Sequence, residues 1–365
     1  MSASRSSIEG DIRALRQAVA VRGGFRRCPG RTTTKFALHA IAGCALYVAC
    51  LVLPVQAAIA LMPVCAMVLV VGVMMGHEGV HGAAYRSRRA NSLLSLLAFP
   101  LLSGLSCTFW RHKHNVLHHN HPNSVHLDQD LEVLPFAISL AHHRNSNCLC
   151  QWIQRRVQRG WLFWLLSPLL PWDLRWRGSR YVIARALGPD PKAEILLDAM
   201  MMVAHVIVFV VTPAVLLGPM RAIGMYLGVW AVAGSWLALV GLVAHSACPV
   251  IDRCDDRWAQ QFHTTRNLRL NGVLSWCFVG LDFQIEHHLF PQISHFLLPQ
   301  IVPLVRAFAR DHSLPYREAG LRECVREITG YFDRAWLDEA IDLLNVEPFS
   351  EGRRSDADAR AALRA

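Results

Sequence analysis

Four stretches of this chain are apolar for close to the twenty residues that cross the hydrocarbon core of a bilayer. They run from about Phe36 to Leu53, Ala57 to Gly76, Ile195 to Leu217 and Met225 to His245. In lipid every backbone N–H and C=O must find its partner within the chain, which leaves helices as the only reading for such stretches. The pattern predicts an all-α integral membrane protein: four transmembrane helices under a cytosolic helical cap. A hydrophobic fraction of 53% over 365 residues agrees, being too high for an ordinary soluble domain. A fifth stretch, Ser92–Phe109, is shorter and punctuated by Pro100 and Gly104. It reads as a buried or re-entrant helix rather than a span.

A net charge of +10 raises the question of nucleic acid. No nucleic-acid motif accompanies it, and the arginines sit between and beside the spans, so the charge points to a membrane surface and no nucleic acid is expected. Arg22, Arg26, Arg27, Arg31 and Lys35 precede the first span, and Arg144, Arg155, Arg156, Arg159, Arg175, Arg177, Arg180 and Arg185 fill the long segment 110–194. The turn after the first span is uncharged and that after the third holds only Arg221. By the positive-inside rule, both termini and the central segment are expected in the cytoplasm. The preference for Arg over Lys points to a GC-rich bacterial genome, and the expected location is a bacterial inner membrane.

Trp152, Trp161, Trp164, Trp172 and Trp176 alternate with arginine, the pattern of an amphipathic segment lying on the membrane. The expected divisions are a cytosolic segment 1–35, a membrane domain 36–310, a cytosolic helical region 311–345 and a disordered tail 346–365. The eleven cysteines form no paired framework and are read as reduced thiols. No cleaved signal peptide is expected at the polar, Arg-rich start.

Histidines gather where the spans end. His77 and His81 lie one helical turn apart, His114 and His118 repeat that spacing, and His119 adds an imidazole turned by about 100°. His287 and His288 are adjacent, with Gln284 one turn before them. All three groups fall on the predicted cytoplasmic face, which predicts one composite metal site. Several neutral imidazoles with few carboxylates suit iron, copper or zinc far better than magnesium or calcium. His245, at the end of the fourth span, is read as a further ligand, because an ionisable residue there needs a partner. His263 is either a supporting or a surface residue. His39 and His205, alone inside spans, are read as packing or hydrogen-bonding residues. His112, His121, His126, His142, His143, His295 and His312 are assigned to solvated loops.

His77-Glu78-Gly79-Val80-His81 also satisfies the H-E-x-x-H pattern of zinc proteases. That reading leaves His114, His118, His119, His287 and His288 without a purpose. A membrane metal carrier would need ionisable residues along several spans, whereas these cluster at one face.

Three stretches together resemble the membrane fatty-acid desaturases, a family of di-iron enzymes. They are His77-Glu78-Gly79-Val80-His81-Gly82, Trp110-Arg111-His112-Lys113-His114-Asn115-Val116-Leu117-His118-His119-Asn120-His121-Pro122-Asn123, and Gly280-Leu281-Asp282-Phe283-Gln284-Ile285-Glu286-His287-His288-Leu289-Phe290-Pro291. The resemblance covers about residues 36–310. A glutamine opening the third box is similar to the front-end subgroup, which acts between an existing double bond and the carboxyl end. The resemblance implies two iron ions held by His77, His81, His114, His118, His119, His245, His287 and His288, with O2 as co-substrate. It implies Gln284 as a weak or indirect ligand, and Glu78 as a residue that orients a ligand imidazole. The expected reaction is desaturation of a fatty-acyl chain in a lipid or acyl-CoA, with hydroxylation of a lipid as the alternative. No His-Pro-Gly-Gly haem motif occurs, so a separate electron donor of ferredoxin or cytochrome b5 type is expected.

Overall fold

The structure is a computed structural model that describes residues 6–124, 127–131, 135–189, 192–251 and 256–336. Four helices in it are long and apolar enough to cross a membrane: Pro29–Val52, Val55–Val80, Ala193–Leu217 and Pro219–Gly241. The first two start earlier and the second ends later than hydropathy alone predicts, because the polar flanks stay helical once packed. The fourth departs from expectation. It stops at Gly241, and His245 lies in the turns that follow. Arg266 holds those turns by donating to the Val243 and Ser246 carbonyls. An uninterrupted helix would carry His245 straight on along the span axis, and the bend is what lets it face the other histidines.

The span windows differ in environment. Half or more of the second and fourth is enclosed by protein, but only 17% of the third. Met200, Val203, Ile207, Val211 and Val215 of the third span are exposed as an apolar belt, the surface a helix offers to lipid. Integral membrane architecture follows.

The stretch from Arg88 to His118 is a re-entrant hairpin. Its descending arm, Arg88–Leu96 continued in wider turns through Leu101, runs down the second span. The approach is close because glycines line that side of the span: a Cβ on Gly79 would stand 2.5 Å from Ser95 Oγ, and one on Gly76 2.8 Å from the Ala98 side chain. Apolar packing gains little when the alternative neighbour is an equally apolar lipid tail, so intimate contact of this kind is what joins helices in a membrane. At the tip the chain turns through Gly104, at φ +68°, and a Cβ there would also meet His205 at 2.7 Å. Non-helical carbonyls at this depth need partners. Arg175 donates Nε and Nη2 to the Ser103 carbonyl at 3.0 and 2.7 Å, and His205 Nδ1 lies 3.0 Å from the Leu101 carbonyl.

The rising arm, Cys107–Trp110 continued by Arg111–His118, starts on a carboxylate from another span. Asp198 of the third span accepts from Ser106 Oγ at 2.7 Å and from the backbone N–H groups of Cys107 and Thr108 at 3.1 and 2.8 Å. Thr108 Oγ1 donates to the same carboxylate at 2.5 Å. These are donors that a helix start leaves without partners, and an anion there suits the helix dipole.

Above the spans lies a helical cap. The N-terminal helix Ser6–Val21 buries Ile12, Leu15 and Val19 against Ile285, Phe290 and Ile301. Facing water rather than lipid, this cluster is held by the hydrophobic effect, at roughly 2 kcal/mol per fully buried large side chain. Strands β1 (Asn267–Arg269) and β2 (Glu318–Gly320) pair in parallel. They tie the chain before the third histidine box to helix Leu321–Arg334. The tryptophan-rich segment forms helices Cys148–Arg156, Gly160–Leu166 and Leu170–Ala186. Trp152, Trp161 and Trp176 are exposed as a surface anchor requires. Trp164 and Trp172 instead pack on the core, Trp164 Nε1 donating to Thr329 Oγ1 at 2.9 Å. The expected tail 346–365, residues 337–345 and His126 lie outside the described residues.

Candidate metal centre

Each histidine reaches the centre by a different local device. His77 lies in the last turn of the second span and His81 caps it, their rings 4.6 Å apart. The second box is wound differently from expectation. From Arg111 to His118 the helix adopts π geometry, and the His119 N–H bonds the His114 carbonyl, five residues back, at 2.9 Å. That winding adds about one residue per turn, so His119 comes round to bring its Nε2 beside that of His114, while the His118 ring stacks on His114 at 5.1 Å. The Nε2 atoms of His119 and His114 are 3.2 Å apart. The His118 ring also lies 4.5 Å from that of His245 and 4.9 Å from that of His288. The third box is the short helix Gln284–Leu289, whose adjacent histidines diverge by their normal angular step.

The eight histidines sort into two groups, and His114 and His118, one from each, form a further cluster with Asp130. His77, His81, His114, His119 and His287 form one group, and His118, His245 and His288 the other, with the donor atoms of each group within 4.8 Å of one another. The groups touch through His119 and His288, whose rings stack at 4.3 Å.

In the larger group, His77 Nε2 is 2.7 Å from His114 Nε2 and 3.2 Å from His81 Nε2. Ring nitrogens bound to one ion at about 2.1 Å stand about 3.0 to 3.4 Å from each other. The spacing is close to that of a ligand set. Burial, and then the neighbouring imidazoles, hold His81, His114, His119, His287 and His288 well below the ordinary histidine range, and burial takes His245 down to about 3. The rings are neutral, as metal ligation demands. Nε2 of His287 and of His288 and Oε1 of Gln284 are buried without a hydrogen-bond partner. Buried polar atoms are almost always paired, and the two orphaned imidazole nitrogens, which belong to the histidine cluster, fit a cation.

Supporting residues fix the rings. His118 Nδ1 bonds Asp128 at 2.9 Å, His288 Nδ1 bonds Gln261 Oε1 at 2.7 Å, and His245 Nδ1 faces the Thr264 carbonyl at 3.2 Å. Each partner only accepts, so Nδ1 carries the proton and Nε2 presents its lone pair inward. Asp130 lies 3.4 Å from Nδ1 of both His114 and His118, and is paired with Lys113. Gln261 also donates to the His119 carbonyl at 3.1 Å, joining the second box to the third. None of Asp128, Asp130, Gln261 or Thr264 stands out in the sequence, although both aspartates follow His118 within twelve positions.

Other expected residues land elsewhere. Gln284 Nε2 lies 2.7 Å from His245 Nε2, so it belongs to the smaller group. Glu78 orients no ligand: it accepts from the His295 N–H at 3.0 Å and from Thr32 Oγ1 at 3.1 Å. His295 is thus no solvated loop residue but a buried partner of Glu78, with Lys35 Nζ 3.3 Å from its Nε2. His143 is likewise buried, bonded to Gln154. His263 is half-buried, stands outside both groups, and has no partner at Nδ1. His39 bonds the Lys35 carbonyl and His205 bonds Tyr226, as residues alone in spans were expected to do. Replacing Asp128 with Asn removes the charge behind His118 and is expected to lower metal affinity or activity by about 10- to 100-fold. Metal content per protein, measured against wild type, checks it.

A cavity of about 280 Å³ opens from the surface onto His81, His119 and His288, with Arg16, Arg257 and Trp258 at its mouth.

Comparison with known proteins agrees with this centre. The model of the fatty acid desaturase family matches residues 52–320. An acyl-lipid (9-3)-desaturase of Physcomitrium patens is 26% identical over 68% of this chain and 47% of its own length. The Delta(5) fatty acid desaturase fat-4 of Caenorhabditis elegans is 27% identical over 72% of this chain and 58% of its own. An sn-1 linoleoyl-lipid 6-desaturase of Arthrospira platensis is 26% identical over 67% of this chain and 68% of its own. The chain thus spans between about half and two thirds of the length of these relatives. With the family model matched across the second to fourth spans and all three histidine boxes, the chain belongs to the fatty acid desaturase family.

Proposed function

We propose that this protein carries out oxygen-dependent desaturation of a fatty-acyl chain at a di-iron centre. The observation that carries the reading is the division of eight histidines, six buried and two half-buried, into two touching groups at one end of the spans. His77, His81, His114, His119 and His287 hold one iron, and His118, His245 and His288 the other. When bound, the reduced iron pair supplies the activation of O2 that removes two hydrogens from neighbouring methylenes. The protein's part is to hold the rings with their Nε2 lone pairs inward, to exclude water, and to fix the chain beside the metals. The two amide orientations of Gln284 are alike in shape, and the one that turns Oε1 inward frees His245 Nε2 and offers a weak oxygen donor.

The substrate is an acyl lipid or thioester, and the enzyme sits in a bacterial inner membrane with its histidine face and both termini in the cytoplasm. The arginines beside the spans support that orientation. Electrons come from a separate acidic donor of ferredoxin or cytochrome b5 type. Its docking place is the mouth formed by Arg16 and Arg257, the cationic rim of the cavity that reaches three of the histidines. Charge reversal of both arginines is expected to raise the apparent KM for reduced donor by about tenfold at low salt, an effect that fades as salt screens the surface. Steady-state rates over a range of ionic strength check this.

The function itself is tested by expression in a host of defined fatty acids, with product lipids mapped by mass spectrometry. New double bonds that require O2 uphold the reading. Addition of one oxygen without loss of hydrogen reassigns the chain to lipid hydroxylation, and bound iron with no lipid change defeats both.

A further inference from the structure

At the tip of the re-entrant hairpin, Arg175 has one donor nitrogen that the fold does not use. Its Nε and Nη2 hold the Ser103 carbonyl, and its guanidinium carbon lies 4.2 Å from the ring centre of Trp230 and 4.7 Å from that of Trp172. Nη1 is buried and has no hydrogen-bond partner. None of the ion pairs among the described residues includes Arg175. Arginine does not shed its proton, and aromatic faces attract a cation without neutralising it. A charge enclosed at membrane depth calls for a counter-anion.

Space for one lies beside it. A cavity of about 410 Å³ has Gly104, Arg175, Ser179 and Tyr226 among its lining, and its outer wall includes Ile183, Val203 and Ile207. These three side chains are 57%, 59% and 50% exposed, so the cavity opens sideways toward lipid rather than toward water. Tyr226 is already committed. His205 gives its Nδ1 proton to the Leu101 carbonyl, so its Nε2 accepts and the Tyr226 hydroxyl, 2.8 Å away, donates to it. What remains for a ligand is one guanidinium edge and the Ser179 hydroxyl. That set matches a small monoanion with two oxygens; a phosphate-headed lipid asks for more donors.

We propose that this lateral cavity binds a long-chain carboxylate, its head on Arg175 Nη1 and its chain along the outer wall of the third span. The site lies at the far end of the arm that bears the second histidine box, and it does not depend on the reaction assigned to the metals.

Trp172 and Trp230 make binding readable by fluorescence. The protein is placed in phosphatidylcholine nanodiscs and titrated with stearate brominated at mid-chain, with the matching alcohol, and with a phosphatidate carrying the same brominated chain. Saturable quenching by the carboxylate, at least tenfold tighter than by the alcohol, is expected. Arg175→Gln removes that preference and Arg175→Lys keeps most of it. Val203→Phe, on the lipid-facing wall, narrows the cavity while leaving both bonds to Ser103 in place, and is expected to weaken binding severalfold. Equal binding of alcohol and carboxylate overturns the proposal, as does tighter binding of phosphatidate or an unchanged affinity in Val203→Phe. Should Arg175→Gln fail to fold, the Val203 variant and the three-ligand comparison still decide.

Discussion

Alanine at His118 or His288 is expected to lower double-bond formation by more than about 100-fold, while the protein still inserts in the membrane. Loss of a residue that merely orients a ligand costs about 10- to 100-fold, and loss of the ligand itself costs more. The two groups should respond unequally. The smaller has only His118, His245 and His288, so each substitution leaves two imidazoles. The larger has five, and His81 is one of its two half-buried members. His81→Ala is therefore expected to retain more bound iron than His118→Ala. Iron per protein and product lipid, measured on the same membranes, test both parts. Full activity in His118→Ala or His288→Ala removes the proposed function, and equal iron loss in all three variants removes the division into two groups.

Asp198→Ala is expected to be the most damaging substitution outside the histidines. The carboxylate gathers Ser106, Cys107 and Thr108, all buried, at the start of the arm that carries His114, His118 and His119. Each buried donor left without a partner costs about 1 to 3 kcal/mol, so a total on the order of 4 kcal/mol is expected. Thermal unfolding in detergent should show a lowered midpoint. Metal content should fall with it, because the arm loses its anchor. Asp198→Asn keeps the shape and one acceptor, and should lie between. A midpoint for Asp198→Ala within error of wild type contradicts this account of the arm.

Much of the architecture was legible because a bilayer imposes a length and a polarity on what crosses it. Pro100 and Gly104 marked the re-entrant hairpin for the same reason: they interrupt an apolar stretch too short to span. The histidines were legible as a set but not as two groups. Spacing arguments assume α-helical winding, whereas the stretch from Arg111 to His118 is wound in π turns within an arm held by Asp198 below and by the contacts of its histidines above. That winding exchanged the roles of His118 and His119. The fourth span misled for a related reason, since nothing apolar changes at Gly241 where the helix gives way to turns. Glu78 and His295 were misread because they are partners across 217 positions. Neither one's neighbours in sequence reveal the other. Asp128, Gln261 and Thr264 stayed hidden because a residue that steadies an imidazole needs only one well-placed oxygen, which any polar stretch can supply.

Two neighbouring pairs, His118 with His119 and His287 with His288, each send one ring to either group. Consecutive α-carbons across a trans peptide stand about 3.8 Å apart whatever the surrounding packing does. The spacing between the two histidine groups is thus gauged twice by covalent geometry, from opposite walls of the centre. Mutations in the cap, a change of lipid or a change of temperature can alter how firmly each group grips. They have far less purchase on the separation, which is built into the chain like the fixed gap of a calliper.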